Sequence, residues 1–380
     1  MTEKLYYVDA YIKEFDAEVL SVERCDDKFA VVLSKTAFFP EEGGQSSDSG
    51  YIGNARVIKV YEENGVIRHL TDKAPEGKTV HCTLDFDERF VKMQCHTAEH
   101  ILCGFIHKLY GFSNVGFHLG DDEVIFDVDG VLTREQLDAV EELANEAVFA
   151  NVKIETFFPT NEEIATLEYR SKLDFTSGVR IVKIGDYDSC ACCAPHVAYT
   201  GEIGLIKILD FMKHRGGTRI WMVAGKRALI DYRIKYENIK KISALTSTPQ
   251  HETADALKKY MSEAEKMKQE LKLCRLKLAE REGSLLPLIN DNLVINFPDF
   301  TVPELIAFSN VATTKVGGFL VALSGVDGDF KYVISSKNCD LREHISAINA
   351  ALSGRGGGKT NMVQGSFAAT LDEIKRYFAK

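Results

Sequence analysis

Apolar and polar positions alternate in short runs through residues 1 to about 85. Residues 19–22, 29–33 and 55–60 are apolar or alternating, and Gly43-Gly44, Gly50 and Gly53 punctuate them. Alternation between turn residues predicts short strands, here gathered into a small barrel or curled sheet. Over residues 90–109 the period lengthens. Val91, Met93, Ile101, Leu102, Phe105 and Leu109 recur mostly at three- or four-residue steps, the mark of a helix. Residues 135–149 predict a second amphipathic helix, with Thr133 as its N-cap. Strand-like runs follow at 179–184, 204–209 and 218–223. Elements mixed in this order predict an α+β domain.

Residues 235–282 carry a different pattern. Leu257, Tyr260, Ala264, Met267, Leu271, Cys274 and Leu278 alternate three- and four-residue steps, an a/d seam over three heptads. A helical hairpin packed on its own chain and a short coiled coil between chains both fit. Gly283 and Pro287 are expected to end the helix. Beyond them, 292–297, 319–323 and 331–335 predict strands of a small α/β domain, and 343–352 and 371–378 its helices. The domains are therefore expected at 1–88 (barrel-like), 89–238 (a two-layer α/β domain), 239–284 (helical or coiled-coil) and 285–380 (small α/β).

Composition narrows the class. The chain has 380 residues, 45% hydrophobic and 27% charged, an ordinary globular balance. No apolar run is long enough to cross a membrane, and the first residues lack a signal-peptide pattern, so a cytoplasmic location is expected. The net charge of −10 argues against a blanket nucleic-acid coat but leaves room for local basic patches. Nine cysteines are too few for a disulfide scaffold, and only Cys190, Cys192 and Cys193 cluster. The other six fit buried small hydrophobes.

Two short frames carry candidate chemistry. His96-Thr97-Ala98-Glu99-His100 puts two imidazoles four apart on a helix, where they share a face. Cys192-Cys193-Ala194-Pro195-His196 has a metal-type ligand at each end. Either frame alone is weak; together they offer a set suited to tetrahedral zinc. His96 to His100 also fits H-x-x-E-H, the zinc-peptidase pattern in which Glu99 would activate water. That reading leaves Cys192 and His196 without a task. A closed structural zinc site is the third alternative.

Two glycine-rich stretches complete the inventory. Thr36 to Gln45, continuing to Asp48 and Gly50, reads as a strand followed by a Gly-Gly turn. It also reads as a loop open to close ligand approach, with Thr36 and Gln45 as polar contacts. Residues 354–360 resemble a phosphate loop, but only three residues separate Gly354 from Gly358, and the stretch follows a helix. The Walker pattern is therefore excluded. A flexible loop and one that holds nucleic-acid phosphate through Arg355 and Lys359 remain.

Taken together, these segments resemble the alanyl-tRNA editing proteins of the long AlaX type, relatives of the editing half of alanyl-tRNA synthetase. The resemblance covers nearly the whole chain. Residues 36–50 are similar to T-x-F-Y-P-x-x-G-G-Q-x-x-D-x-G, with Phe39 in place of Tyr. His96 and His100 match H-T-A-x-H, and Cys192 and His196 match the ends of C-G-G-T-H, with Cys193-Ala194-Pro195 replacing the middle. The match continues through Thr200-Gly201-Glu202-Ile203-Gly204, Arg219-Ile220 and Ala224-Gly225. Gly356 to Lys359, with Met362, Gln364 and Gly365, resembles a C-terminal domain shared with alanyl-tRNA synthetases and DHH phosphoesterases.

The resemblance implies an ATP-independent hydrolase serving translation fidelity. It would deacylate Ser-tRNA(Ala) first, with Gly-tRNA(Ala) a second candidate. One Zn2+ per chain would be held by His96, His100, Cys192 and His196. It would orient the aminoacyl group or lower the pKa of a water, and four protein ligands favour the former. Gln45 and Thr36 would contact the serine hydroxyl or terminal ribose as catalytic residues, with Glu99 behind the ligands or at the surface. Arg215, Arg219, Arg355 and Lys359 would contact tRNA, and the helical segment with the C-terminal domain would form a homodimer. A zinc metallopeptidase and a non-catalytic tRNA-binding protein with structural zinc are the alternatives.

Overall fold

The computed structural model describes residues 2–120, 123–171 and 178–379. The chain divides into two compact units, 1–240 and 241–380. Among the described residues, no helix is long and apolar enough to cross a membrane.

The first unit opens with the expected barrel. Strands β1 (Glu14–Cys25), β2 (Lys28–Leu33), β3 (Gly50–Ile52), β4 (Ala55–Glu63), β5 (Val66–Thr71) and β6 (Thr79–Leu84) close in the order β1-β2-β5-β4-β3-β6. Alternation sets which side chains point inward: Phe15 and Ala17 are buried, while Glu14, Asp16 and Glu18 are exposed. Val31, Leu33, Phe38, Ile52, Val57, Val60 and Ile67 fill the interior.

Helix α1 (Phe86–Tyr110) follows, a turn longer at its start than its apolar period predicts. Gly111 ends it in the left-handed conformation, its N–H returning to the His107 carbonyl. Nearly all of Arg89–Ile106 is buried, because other elements cover several faces. Strands β7 (Asn114–Leu119) and β8 (Val124–Val128) precede helix α2 (Arg134–Phe149), where Thr133 and Gln136 form a capping box. Strands β9 (Ile154–Phe157), β10 (Ile181–Ile184) and β11 (Asp188–Ala191) make a three-stranded antiparallel sheet. Strands β12 (Ile206–His214) and β13 (Gly217–Ala224) join a four-stranded sheet in the order β12-β13-β8-β7. One apolar cluster runs from α1 (Ile101, Leu102, Ile106) and α2 (Leu137, Val140, Ala144) into this sheet (Phe126, Ile208, Ile220).

Helix α3 (Gly225–Thr246) contains the division between the units, and α4 (Thr253–Leu285) belongs to the second. The seam is helical as the heptads predict, yet Leu257, Tyr260, Met267, Leu271 and Leu278 are all about half exposed or more. Gly283 does not end α4. It lies inside it, where a Cβ would come within 2.7 Å of the Phe308 carbonyl oxygen, so it permits a close helix crossing.

The second unit has β14 (Leu293–Asn296), α5 (Val302–Ala312), β15 (Leu320–Val326), β16 (Asp329–Ser335), α6 (Leu341–Ala351), β17 (Gly354–Lys359), β18 (Met362–Phe367) and α7 (Leu371–Phe378). Its sheet runs β14-β15-β16-β18-β17, with β14 and β15 parallel. Leu320 and Ala322 face α4 and α5, whereas Val321 and Leu323 face α6 and α7. The glycine run at 354–359 is neither a phosphate loop nor a flexible one. It is an edge strand, paired throughout with β18.

Candidate metal centre

Helix α1 presents His96 and His100 on one face, one turn apart. The segment after β11 supplies Cys192 and His196. Buried Arg180 shapes that segment by donating to the carbonyls of Cys192 (3.1 Å) and Ala194 (2.9 Å), while the Cys192 N–H donates to the Arg180 carbonyl. The ligand atoms of His96, His100, Cys192 and His196 then all lie within 4.8 Å of one another, a group that could hold a metal ion. Cys192 Sγ stands 3.6 Å from His96 Nε2 and 3.4 Å from His196 Nε2. The sulfur in the histidine cluster is thus that of Cys192. Cys190 falls instead into a second grouping with His100 and Asp188, and Cys193 lies near Gly43.

Each histidine is held from behind at Nδ1. His96 meets Gln45 Oε1 at 2.8 Å, His100 meets Asp188 Oδ2 at 3.1 Å, and His196 meets Thr97 Oγ1 at 3.0 Å. Asp188 is in turn gripped by Arg170 through two bonds of 2.7 and 2.9 Å. Burial alone would raise the Asp188 carboxyl, but the bonds from His100 and Arg170 hold it below its ordinary value. Burial, helped by His100 and His96, pushes the His196 pKa well below the usual 6.5 and keeps the ring neutral. Burial drives the Cys192 thiol up, and Cys193 to about 12. Sequence reasoning missed Asp188 and Arg170. They lie far from the histidine frame along the chain, so no local spacing marks them.

The cluster opens onto a cavity of about 1330 Å³. His96, His100, Cys192, Phe117 and Tyr7 line it, and so does Glu99. Glu99 is not a surface residue: it is buried, and its carboxylate accepts from the Asn114 amide and, at 3.1 Å, from the Cys103 thiol.

The remaining expected site residues stand elsewhere. Thr36 is fully buried in the barrel, and its hydroxyl meets His69 Nε2 at 2.8 Å and the Phe38 N–H at 3.1 Å. Direct contact with a substrate does not fit that position. Gln45 is equally buried and faces His96. Its loop depends on Gly44, at φ +86°, where a Cβ would meet the Phe117 carbonyl oxygen. Arg219 is engaged with Asp127 through two 2.7 Å bonds, and exposed Arg215 occupies the turn between β12 and β13. Arg355 and Lys359 are exposed on β17 in the second unit.

Comparison with known proteins bears on what such a cluster does. Residues 179–223 match the family model of the threonyl and alanyl tRNA synthetase second additional domain. Over 98% of its length the chain is 30% identical to the alanyl-tRNA editing protein AlaX-L of Pyrococcus horikoshii, covering 96% of that protein. It is also 30% identical to the alanine–tRNA ligase of Thermococcus kodakarensis over 99% of its length, and 29% identical to that of Ignicoccus hospitalis over 95%. It spans only 43% and 40% of those two ligases.

Proposed function

The chain belongs to the alanyl-tRNA editing family of AlaX-L, and from that membership we propose that it is a zinc-dependent deacylase of mischarged tRNA(Ala). Ser-tRNA(Ala) is the first substrate and Gly-tRNA(Ala) the second. A synthetic pocket discriminates poorly among such small side chains, since a methyl group is worth about 1–3 kcal/mol, so a separate hydrolytic site has a purpose.

One observation carries this reading: three imidazoles and a thiol converge, and His96, His100 and Cys192 of that group line the cavity. For tetrahedral zinc with Zn–N near 2.05 Å and Zn–S near 2.3 Å, the N···S edge is about 3.6 Å. The separations here are 3.4 and 3.6 Å. These two edges support zinc as the ion that the donor set would hold. When bound, zinc would supply a Lewis acid for the aminoacyl group and hold Cys192 as the thiolate.

The chain's own residues do the positioning. Gln45 acts through His96, which it orients, rather than by touching the substrate. Thr36 acts through the barrel. Phe117 packs 4.6 Å from His96, ring centroid to centroid, and dries that side of the site. The cavity is larger than an amino acid needs, leaving room for a terminal nucleotide. An aminoacyl ester is labile, so orienting it beside a held water suffices without a covalent nucleophile. Arg215, Arg219, Arg355 and Lys359 are proposed phosphate contacts, so affinity for tRNA should fall steeply with salt. The exposed α4 seam is proposed to meet a second copy of the chain, to be tested by sedimentation of the Leu271→Glu variant.

The decisive experiment compares release of label from Ser-, Gly- and Ala-tRNA(Ala) by wild type and Cys192→Ala. Release of serine but not alanine, lost in the variant, is expected. No release by wild type from any of the three would overturn the reading.

A further inference from the structure

The three histidines of the cluster lean on chemically different partners. Gln45 offers His96 an amide oxygen, and Asp188 offers His100 a carboxylate. At its Nδ1, His196 meets the hydroxyl of Thr97. A hydroxyl can donate or accept, so the other contacts of Thr97 decide which nitrogen of His196 carries its hydrogen.

Those contacts leave one solution. Thr97 Oγ1 lies 2.7 Å from the Met93 carbonyl oxygen, 3.0 Å from His196 Nδ1 and 3.4 Å from the Val197 backbone nitrogen. A carbonyl oxygen only accepts, and two oxygens this close need a proton between them. Threonine has one hydroxyl proton, and the Met93 contact takes it. The Val197 N–H only donates. What the hydroxyl turns to His196 is a lone pair, so Nδ1 bears the hydrogen and Nε2 is left as the base. That Nε2 is the atom 3.4 Å from Cys192 Sγ. Thr97 is fully buried and His196 is 4% exposed, so solvent offers no replacement partner.

We propose that Thr97 is a positioning residue for metal capture: by committing its only proton to Met93, it fixes His196 as the Nδ1–H tautomer and aims the Nε2 lone pair at the ion. The inference rests on the reading of the cluster as a metal centre and deepens it, since Thr97 lies behind a ligand and lines no part of the cavity. Without the hydroxyl, Nδ1–H would have no acceptor in a dry site. The ring would do better with its proton on Nε2, directed at the thiol, and that proton would occupy the pair the ion needs. Partners of this kind are worth about 10–100-fold in metal affinity.

The test uses the full chain loaded with zinc. Release of zinc to a colorimetric chelator is timed for wild type, Thr97→Val and Thr97→Ser. Valine keeps the branched shape and removes the hydroxyl; serine keeps the hydroxyl. Valine should release zinc at least about tenfold faster, with serine within about threefold of wild type. Nitrogen-15 spectra of the histidine rings in metal-free wild type, with His196 assigned by its loss in His196→Asn, should report the Nδ1–H form. This spectrum needs no Thr97 variant to fold. Zinc held by the valine variant at the wild-type rate, or an Nε2–H ring in wild type, would overturn the proposal. Wild type that takes up no zinc at all would instead overturn the metal reading on which it stands.

Discussion

Arg89 at the start of α1 and Asp48 in the glycine-rich loop form an ion pair that is almost completely buried, at 1% and 2% side-chain exposure. The guanidinium Nε donates to both carboxylate oxygens at 2.9 Å, and Nη2 donates to the Ala37 carbonyl at 2.7 Å. Asp48 also accepts the Phe39 N–H at 2.6 Å. One turn on, Lys92 donates to the Ser47 carbonyl at 2.6 Å, and one further turn brings His96 to Gln45. A single face of α1 thus fastens the loop at three points, and the last of them is a candidate metal ligand.

Removing one partner of this pair strands a charge out of water. Arg89→Met and Asp48→Ala should each lower unfolding free energy by about 3–5 kcal/mol, and the double variant should lose less than the sum. Urea unfolding measures all three. Additive losses would mean that the two side chains do not act as a unit.

This fastening also shows where the sequence is legible and where it is not. The frame from His96 to His100 declares itself, because helical spacing alone puts both rings on one face. The barrel strands and the cap at Thr133 are equally local. Arg89 and Asp48 are two ordinary charges until the fold closes over them, and Asp188 reaches His100 only through strand pairing. Residues 354–359 are the plainest misreading. Their glycines look like a loop, yet Gly356 and Gly365 lie flat over Tyr332, where a Cβ would come within 2.5 and 2.6 Å of its hydroxyl oxygen. Glycine at both positions makes room for a ring carried by β16. Helix α5 was missed because its eleven residues are almost uniformly apolar and show little period, despite a capping box from Thr301 to Glu304.

Gly104 controls the distance between α1 and β11. A Cβ on it would stand 2.5 Å from the Tyr187 carbonyl oxygen and 2.9 Å from Asp188 Cβ. Gly104→Ala must therefore push the strand away and lengthen the 3.1 Å bond from His100 to Asp188. Helix propensity alone would favour alanine, so any loss is due to the contact. Zinc affinity should fall by about tenfold or more, as read by competition with a chelator. Unchanged affinity would show that Asp188 is dispensable for holding His100.

The three clustered cysteines should behave differently. Cys192→Ala removes the sulfur that faces two imidazoles and should abolish zinc retention during gel filtration. Cys190→Ala and Cys193→Ala leave the four-atom cluster intact, so metal content should stay near one per chain. Equal loss in all three variants would mean that the sulfurs exchange roles.

His69 gives the barrel a pH-dependent stability. It is fully buried, donates from Nδ1 to the Val31 carbonyl at 3.0 Å, and accepts the Thr36 hydroxyl at Nε2. Burial lowers its pKa from 6.5 to about 4. Between those values the unfolded chain takes up a proton that the folded barrel refuses. Its contribution to stability is therefore full above pH 6.5, declines as pH falls from 6.5 toward 4, and levels off below. The loss across that window is about 3 kcal/mol. Other groups titrate as well, so the measurement is a difference. Urea midpoints of wild type and His69→Gln should converge as the pH is lowered from 7 to 4.5, because glutamine can keep both hydrogen bonds and does not titrate. Parallel curves would mean that His69 is protonated inside the folded barrel, and that the bond assigned to the Thr36 hydroxyl runs the other way.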